Sequence, residues 1–188
     1  MSSGRTIWHV AMSLDGFTTD RDGSATAWLP KDAGPARMGL DLVPSIGAIL
    51  AGRRSYDLGI KLDPPRGGRP YGGAYTGPVL VLTHRAPPDP PDAAARFVVG
   101  ELADGLATAR AAAGDRNVVI FGAELARQCL RAGELDEVLV HIAPVLLGAG
   151  TPAFLPSNDE LRSFDVLERS APDELTTMRL APRNRRSP

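Results

Sequence analysis

NVVIFGAELARQCLRAGELDEVLVHIAPVLLGAG, residues 117–150, is the stretch whose reading decides the fold. Asn117 to Phe121 is a run of β-branched and aromatic side chains, suited to a strand covered on both faces. Gly122 and Ala123 let the backbone turn sharply. From Glu124 onward, Leu125, Ala126, Cys129 and Leu130 fall on one helical face, and Arg127, Gln128 and Arg131 fall on the other. Gly133 is placed to cap that helix in the left-handed conformation. Leu135 to Ile142 is the next strand, so the unit reads as βαβ with parallel strands. The start of its helix, beside Gly122, presents free N–H groups where a phosphate can sit.

The same alternation extends outward. Thr6 to Met12, Ile46 to Ala51, Pro78 to Leu82 and Arg96 to Val99 read as strands. Ala33 to Val43 reads as a short helix stopped by Pro44, a second short helix follows Gly52, and Leu102 to Ala113 is a third. Trp28, Leu29 and Pro30 close a polar loop as an aromatic lid or pocket wall. Lys61 to Thr76 is dense in proline and glycine without periodicity, which predicts a long surface loop, and Pro87 to Pro91 predicts another. After Gly150 no helix is expected. Phe164 to Glu168 and Leu175 to Leu180 form a hairpin turning at Pro172-Asp173. The expectation is one α/β domain over residues 1–181, with a mainly parallel sheet and an antiparallel C-terminal edge. Residues 182–188, with Arg183, Arg185 and Arg186, form a solvated basic tail.

Composition excludes several function classes. The chain of 188 residues carries 21 Lys and Arg against 22 Asp and Glu, so nothing draws it to nucleic acid or an anionic membrane. The single cysteine, Cys129, cannot form an internal disulfide and reads as a small buried hydrophobe. His9, His84 and His141 are too dispersed in the chain for a metal site, and no serine sits in a nucleophile elbow. No apolar run is long enough to span a bilayer and no signal segment is evident, so a cytoplasmic protein is expected.

Ligands of open α/β sheets bind outside the carboxyl ends of the strands, and three such exits are chemically loaded. Gly52, Arg53, Arg54 and Ser55 either receive a pyrophosphate or ribose phosphate, or supply a helix cap and a surface ion pair. Thr83, His84 and Arg85 either hold a second phosphate, such as the 2′-phosphate of NADP, or form an ordinary polar loop. Gly122, Ala123 and Glu124 make the third exit. Gly148-Ala149-Gly150-Thr151-Pro152-Ala153 matches a dinucleotide fingerprint by letter, but Pro152 and Pro156 follow where a helix must begin, so a flexible loop is expected. Asp15, before Gly16, is either a turn residue or a carboxylate at the substrate end of the cleft. Asp41 is either a substrate-binding group or part of a solvated face.

The segments Ser13-Leu14-Asp15-Gly16-Phe17, Gly52-Arg53-Arg54-Ser55-Tyr56-Asp57, Leu82-Thr83-His84-Arg85, Gly122-Ala123-Glu124-Leu125 and the run from Gly133 through Gly150 together resemble a dihydrofolate-reductase-like protein. They are similar to the reductase domain of the bifunctional riboflavin-biosynthesis deaminase and reductase and to its stand-alone bacterial relatives. The resemblance spans about Ile7 to Leu180. It implies a dihydrofolate-reductase-like α/β fold, an NADPH site across the strand ends, and a homodimer. Carried over by position, Arg53, Arg54 and Ser55, with Gly52, would hold cofactor phosphates. Thr83, His84 and Arg85 would take the 2′-phosphate side, and Gly122, Ala123, Glu124 and Leu125 the pyrophosphate. Ala11 and the loop around Asp15 would face nicotinamide and substrate, with Asp15 or solvent giving a proton. The implied reaction is hydride transfer to a C=N or C=O carbon of a small heterocycle, with 5-amino-6-(5-phosphoribosylamino)uracil as the leading substrate. The alternatives are a reductase of secondary metabolism and a non-catalytic nucleotide-binding or sensor protein. Two departures stand out. Phe121 occupies a position where many relatives have glycine, and Leu42, Val43, Pro44 and Ser45 after Asp41 do not follow the folate-reductase pattern.

Overall fold

The computed structural model describes residues 4–30, 38–62, 69–88, 95–155, 162–171 and 174–183. Its strands are β1 (Thr6–Ser13), β2 (Ile46–Gly52), β3 (Val79–Thr83), β4 (Ala95–Val99), β5 (Asn117–Phe121), β6 (Glu137–Ala143), β7 (Phe164–Ser170) and β8 (Thr176–Pro182). Its α-helices are α1 (Arg53–Leu62), α2 (Leu102–Ala113) and α3 (Ala123–Ala132). All eight strands join one sheet in the order β4-β3-β2-β5-β1-β6-β8-β7. The first six are mutually parallel, and β8 and β7 add an antiparallel edge. This is the mostly parallel, helix-flanked sheet that the sequence predicts.

The apolar runs form strands because they can be covered on both sides. On one face Trp8, Val10, Leu50, Val118 and Ile120 pack against Leu106, Ala109 and Ala113 of α2 and Leu125, Ala126 and Cys129 of α3. On the other face Ile7, Ile46, Ile49, Val119 and Leu139 lie under Leu42, Tyr71 and Tyr75. Tyr56 of α1 covers Ala51 and Val81 beside them. Each fully buried aliphatic side chain contributes about 1.5–3 kcal/mol, so this two-sided core sets the strand order. The predicted βαβ unit is present, and α3 ends on a left-handed Gly133 cap. Its strands do not touch, because β1 inserts between β5 and β6 and pairs with both.

Several expectations change. The helix predicted for Ala33 to Val43 is in its described part a 3₁₀ helix, Leu40–Ser45, with Pro44 inside it rather than ending it; residues 31–37 lie outside the described set. The loop predicted for Lys61 to Thr76 begins only after α1. In its described part it turns through a short 3₁₀ segment, Pro70–Gly73, and buries Tyr71 and Tyr75. Arg127, placed on the outer helical face, is instead 12% exposed and donates to the carbonyls of Pro152 (2.8 Å) and Ala153 (3.1 Å). Arg183, assigned to the solvated tail, pairs with Asp165 at 2.5 Å. The Pro172-Asp173 turn, residues 89–91 of the second proline-rich loop and residues 184–188 of the tail lie outside the described residues. No helix among the described residues is long and apolar enough to cross a membrane.

Candidate functional site

The carboxyl ends of β3, β2 and β5 are neighbours in the sheet, so the three loaded exits come together. The two central ones touch. Gly122 has φ +116°, a conformation L side chains rarely adopt, and a Cβ placed there would lie 2.7 Å from Ser55 Oγ. A Cβ on Gly52 would rest against Leu125 Cβ at 3.7 Å. The β5–α3 turn and the β2–α1 turn are thus packed backbone to backbone. No side chain caps α3, whose first N–H groups have no capping acceptor. A helix start of this kind is electrostatically suited to an anion.

The cations around it are only partly free. Arg53 Nε donates to both carboxylate oxygens of Asp57, at 2.8 and 2.9 Å, and its guanidinium lies 5.6 Å from the Phe97 ring centre. Arg54 is exposed. At the third exit Thr83 Oγ1 donates to the Arg85 carbonyl (3.0 Å) and accepts from the Arg85 N–H (3.3 Å), a local turn that leaves the Arg85 side chain exposed. The His84 side chain is 88% exposed, 4.0 Å from Glu101. Glu124 turns away from the junction. It accepts from Arg127 at 2.7 Å and from Gln128 at 3.3 Å, with Arg131 at 3.4 Å, and the Arg127 contact foremost holds its carboxyl below the usual range. Leu125 and Ala123 are buried, so at these three positions only backbone N–H groups face an anion.

Asp15 is held by its own loop and the one after β6. It accepts from Ser13 Oγ at 2.6 Å, from the Gly148 N–H at 2.7 Å and from the Leu147 N–H at 3.1 Å. The Ser13 bond, followed by the Gly148 bond, lowers its carboxyl to about 2. At neutral pH this group is an anion with no proton to give, and it clasps the 145–150 loop to the exit of β1. That loop, expected to be flexible, is further tied by Thr18 N to Thr151 O (2.7 Å) and Ala153 N to Gly16 O (2.8 Å).

On the sheet face opposite α2 and α3, the strand register lines up Ala11, His141 and Thr177 in one row, with His9, Leu139 and Arg179 in the row below. Trp28, Leu29 and Met38 pack over Ala143 and Leu175. Phe121 points to this same face. Its ring stands 5.8 Å from Tyr71 and 6.2 Å from His9, so its bulk lies away from the Gly122 turn rather than in it. His9 and His141, read as dispersed, meet with their Nε2 atoms 3.0 Å apart. Tyr71 Oη lies 3.0 Å from His9 Nδ1, and Thr177 Oγ1 lies 2.8 Å from His141 Nδ1. Sequence reasoning missed this cluster. The available signal was that His9 and His141 each interrupt an apolar strand. Among the described residues no group of three or more His, Cys, Asp or Glu is placed to hold a metal.

Comparison with known proteins completes the picture. The chain is 24% identical over 159 residues to the uncharacterised protein YwjB of Bacillus subtilis, covering 84% of this chain and 87% of that one. A crystal structure from Shewanella sp. PV-4, of a protein assigned provisionally to riboflavin biosynthesis, superposes with a TM-score of 0.77 at 25% identity, covering 96% and 99% of the two chains. The Thermotoga maritima diaminohydroxyphosphoribosylaminopyrimidine deaminase/5-amino-6-(5-phosphoribosylamino)uracil reductase shares the fold, with a TM-score of 0.69 at 16% identity. The match covers 96% of this chain and 57% of that longer one. The family model of the RibD C-terminal domain matches residues 5–171, nearly the whole sheet, and the chain belongs to that family.

Proposed function

We propose that the protein is an NADPH-dependent oxidoreductase that transfers a hydride to the carbon of a C=N or C=O bond in a small heterocyclic substrate. The candidate substrate is 5-amino-6-(5-phosphoribosylamino)uracil. Family membership supports an oxidoreductase of the riboflavin-reductase type. The observation that carries the cofactor reading is the contact of Gly122 with Ser55 at the uncapped start of α3, a cradle that a Cβ would fill. In this reading the N–H groups of Ala123, Glu124 and Leu125 and the Ser55 hydroxyl bind phosphate oxygens. Gly52 keeps the neighbouring turn close. Arg53, oriented by Asp57, and Arg54 supply positive charge, and Thr83, His84 and Arg85 take the 2′-phosphate end.

The cofactor, when bound, supplies the hydride. The chain's own residues bring the reactants together, and Ala11, a small side chain at the site end of β1, leaves room for a planar ring. The proton that accompanies the hydride comes from solvent, because Asp15 is ionised. The same reading makes the protein a cytoplasmic homodimer, which sedimentation of the purified chain tests.

Fluorescence titration with NADPH and NADH tests the cofactor assignment. Charge-assisted hydrogen bonds are worth about 1.5–3 kcal/mol, so Arg85→Ala should weaken NADPH by roughly 10–100-fold and NADH less, and Arg53→Ala should weaken both nucleotides alike. Equal losses for both nucleotides in Arg85→Ala would show that this side chain does not read the 2′-phosphate.

A further inference from the structure

Tyr71, His9, His141 and Thr177 form an unbroken line of contacts at 3.0, 3.0 and 2.8 Å that occupies all four ring nitrogens of the two histidines. A neutral imidazole has one N–H and one lone-pair nitrogen, so the line admits only two proton arrangements. In one, Tyr71 Oη donates to His9 Nδ1, His9 Nε2 donates to His141, and His141 Nδ1 donates to Thr177 Oγ1. In the other every bond runs backwards.

Two facts choose between them. Burial, followed by His141, drives His9 down to about 3, and burial lowers His141 against the opposing pull of Asp41. Burial foremost, then the Asp41 and Tyr75 charges, pushes Tyr71 upward. Arg179, one register below Thr177, is paired with the buried Glu137. Every member of the chain is therefore neutral near physiological pH. Tyr71 is 6% exposed, and its hydroxyl contacts no described group but His9. The backward arrangement strands that buried O–H without an acceptor, which disfavours it by roughly 5–150-fold. The forward arrangement makes Thr177 an acceptor inside the line and leaves its own O–H to donate outward, beside Ala11 and His141 in the row below Ser13 and Ala143.

Resting on the reductase reading above, we propose that the Thr177 hydroxyl is a substrate-recognition donor, and that Tyr71, His9 and His141 are positioning residues that fix it in that role. It selects substrates that present a carbonyl oxygen or an unprotonated ring nitrogen over the row formed by Ala11, His141 and Thr177. Gly39 closes the device from the other side, because a Cβ there would lie 2.7 Å from the His9 ring. The line is not a proton source, since giving up a proton would leave a buried phenolate at Tyr71.

Two measurements decide this. ¹⁵N NMR of the ligand-free protein, assigned with His141→Gln, should find His9 protonated on Nε2 and His141 on Nδ1, both neutral from about pH 5 to 8. His9 protonated on Nδ1 with His141 on Nε2, the same tautomer in both rings, or titration of either within that range, overturns the polarised chain. Steady-state kinetics with NADPH and 5-amino-6-(5-phosphoribosylamino)uracil then compare Thr177→Val with Thr177→Ser. The valine variant should raise KM about tenfold or more with the NADPH Kd unchanged, and serine should restore it. An unchanged KM in the valine variant, or equal loss in both variants, overturns the recognition role. Failure of the wild-type chain to bind NADPH refutes the reductase reading instead, while the tautomer result stands independently.

Discussion

Replacing Gly122 by alanine tests the junction on which the cofactor site depends. The residue sits at φ +116°, ψ +126°, outside the regions an L residue adopts readily, and holding a non-glycine residue there costs about 1–3 kcal/mol. The new methyl would also stand 2.7 Å from Ser55 Oγ, so Ser55 must rotate or the two turns must part. For a chain of this length, 1–3 kcal/mol corresponds to a Tm lowered by roughly 3–9 °C. The matched control is Gly114→Ala, at φ +62° with nothing within 4 Å of its Cβ. Its backbone, at φ +62° and ψ −128°, is also outside the regions an L residue adopts readily, so the variant carries a comparable strain of about 1–3 kcal/mol without the clash. Urea denaturation of the two variants, alongside NADPH fluorescence titration, gives both readouts. Gly122→Ala should lose stability and cofactor affinity together, whereas Gly114→Ala should keep its affinity. If Gly122→Ala matches the control in both, the two turns are not a tightly apposed cradle and the phosphate assignment has lost its physical basis.

Other consequences follow from single contacts. His9 is held neutral, with its pKa moved from 6.5 to about 3, so below pH 6.5 the unfolded chain binds a proton that the folded one does not. Stability is full above pH 6.5 and should fall by up to about 1.4 kcal/mol per pH unit from this group as pH drops toward 3. Urea unfolding at a series of pH values, repeated on His9→Gln, should show that slope reduced in the variant. For Asp15 the folded value is also depressed, so its clasp is present above the ordinary 3.8 and is lost as pH falls through about 2. At neutral pH, Asp15→Asn should speed amide exchange at Leu147 and Gly148 without speeding exchange in β5. Arg127→Ala removes a largely buried guanidinium from two carbonyls and should cost about 1–3 kcal/mol in urea unfolding. Cys129, fully buried and pushed up to about 12 chiefly by burial, should resist a thiol reagent at neutral pH until the protein unfolds.

Much of the candidate site was legible because its parts are local. The Gly122 turn announces itself between a β-branched run and an amphipathic helix, and Arg53 to Ser55 and Thr83 to Arg85 stand at the ends of apolar runs. What those residues do with their side chains was less legible. Glu124 and Arg127 share a helix turn, so their ion pair lies within reach of spacing arguments. Arg127 also reaching Pro152 and Ala153 depends on where a distant loop docks. Asp15 reads first as a turn residue and second as a site carboxylate. Only the arrival of the Leu147 and Gly148 amides makes it an anion clasp.

The amino-acid order by itself determined the eight strands and the three α-helices, though not the 3₁₀ segments, since two-sided burial and helical periodicity act over a few residues, and it placed the anion-receptive turns at strand exits. Tertiary structure alone decided that β1 slots between β5 and β6. That insertion joins His9 to His141 across 132 residues and sets Tyr71 and Thr177 at the ends of the line. Strand order arises from how the whole set of apolar faces packs, a collective property that no local pattern carries.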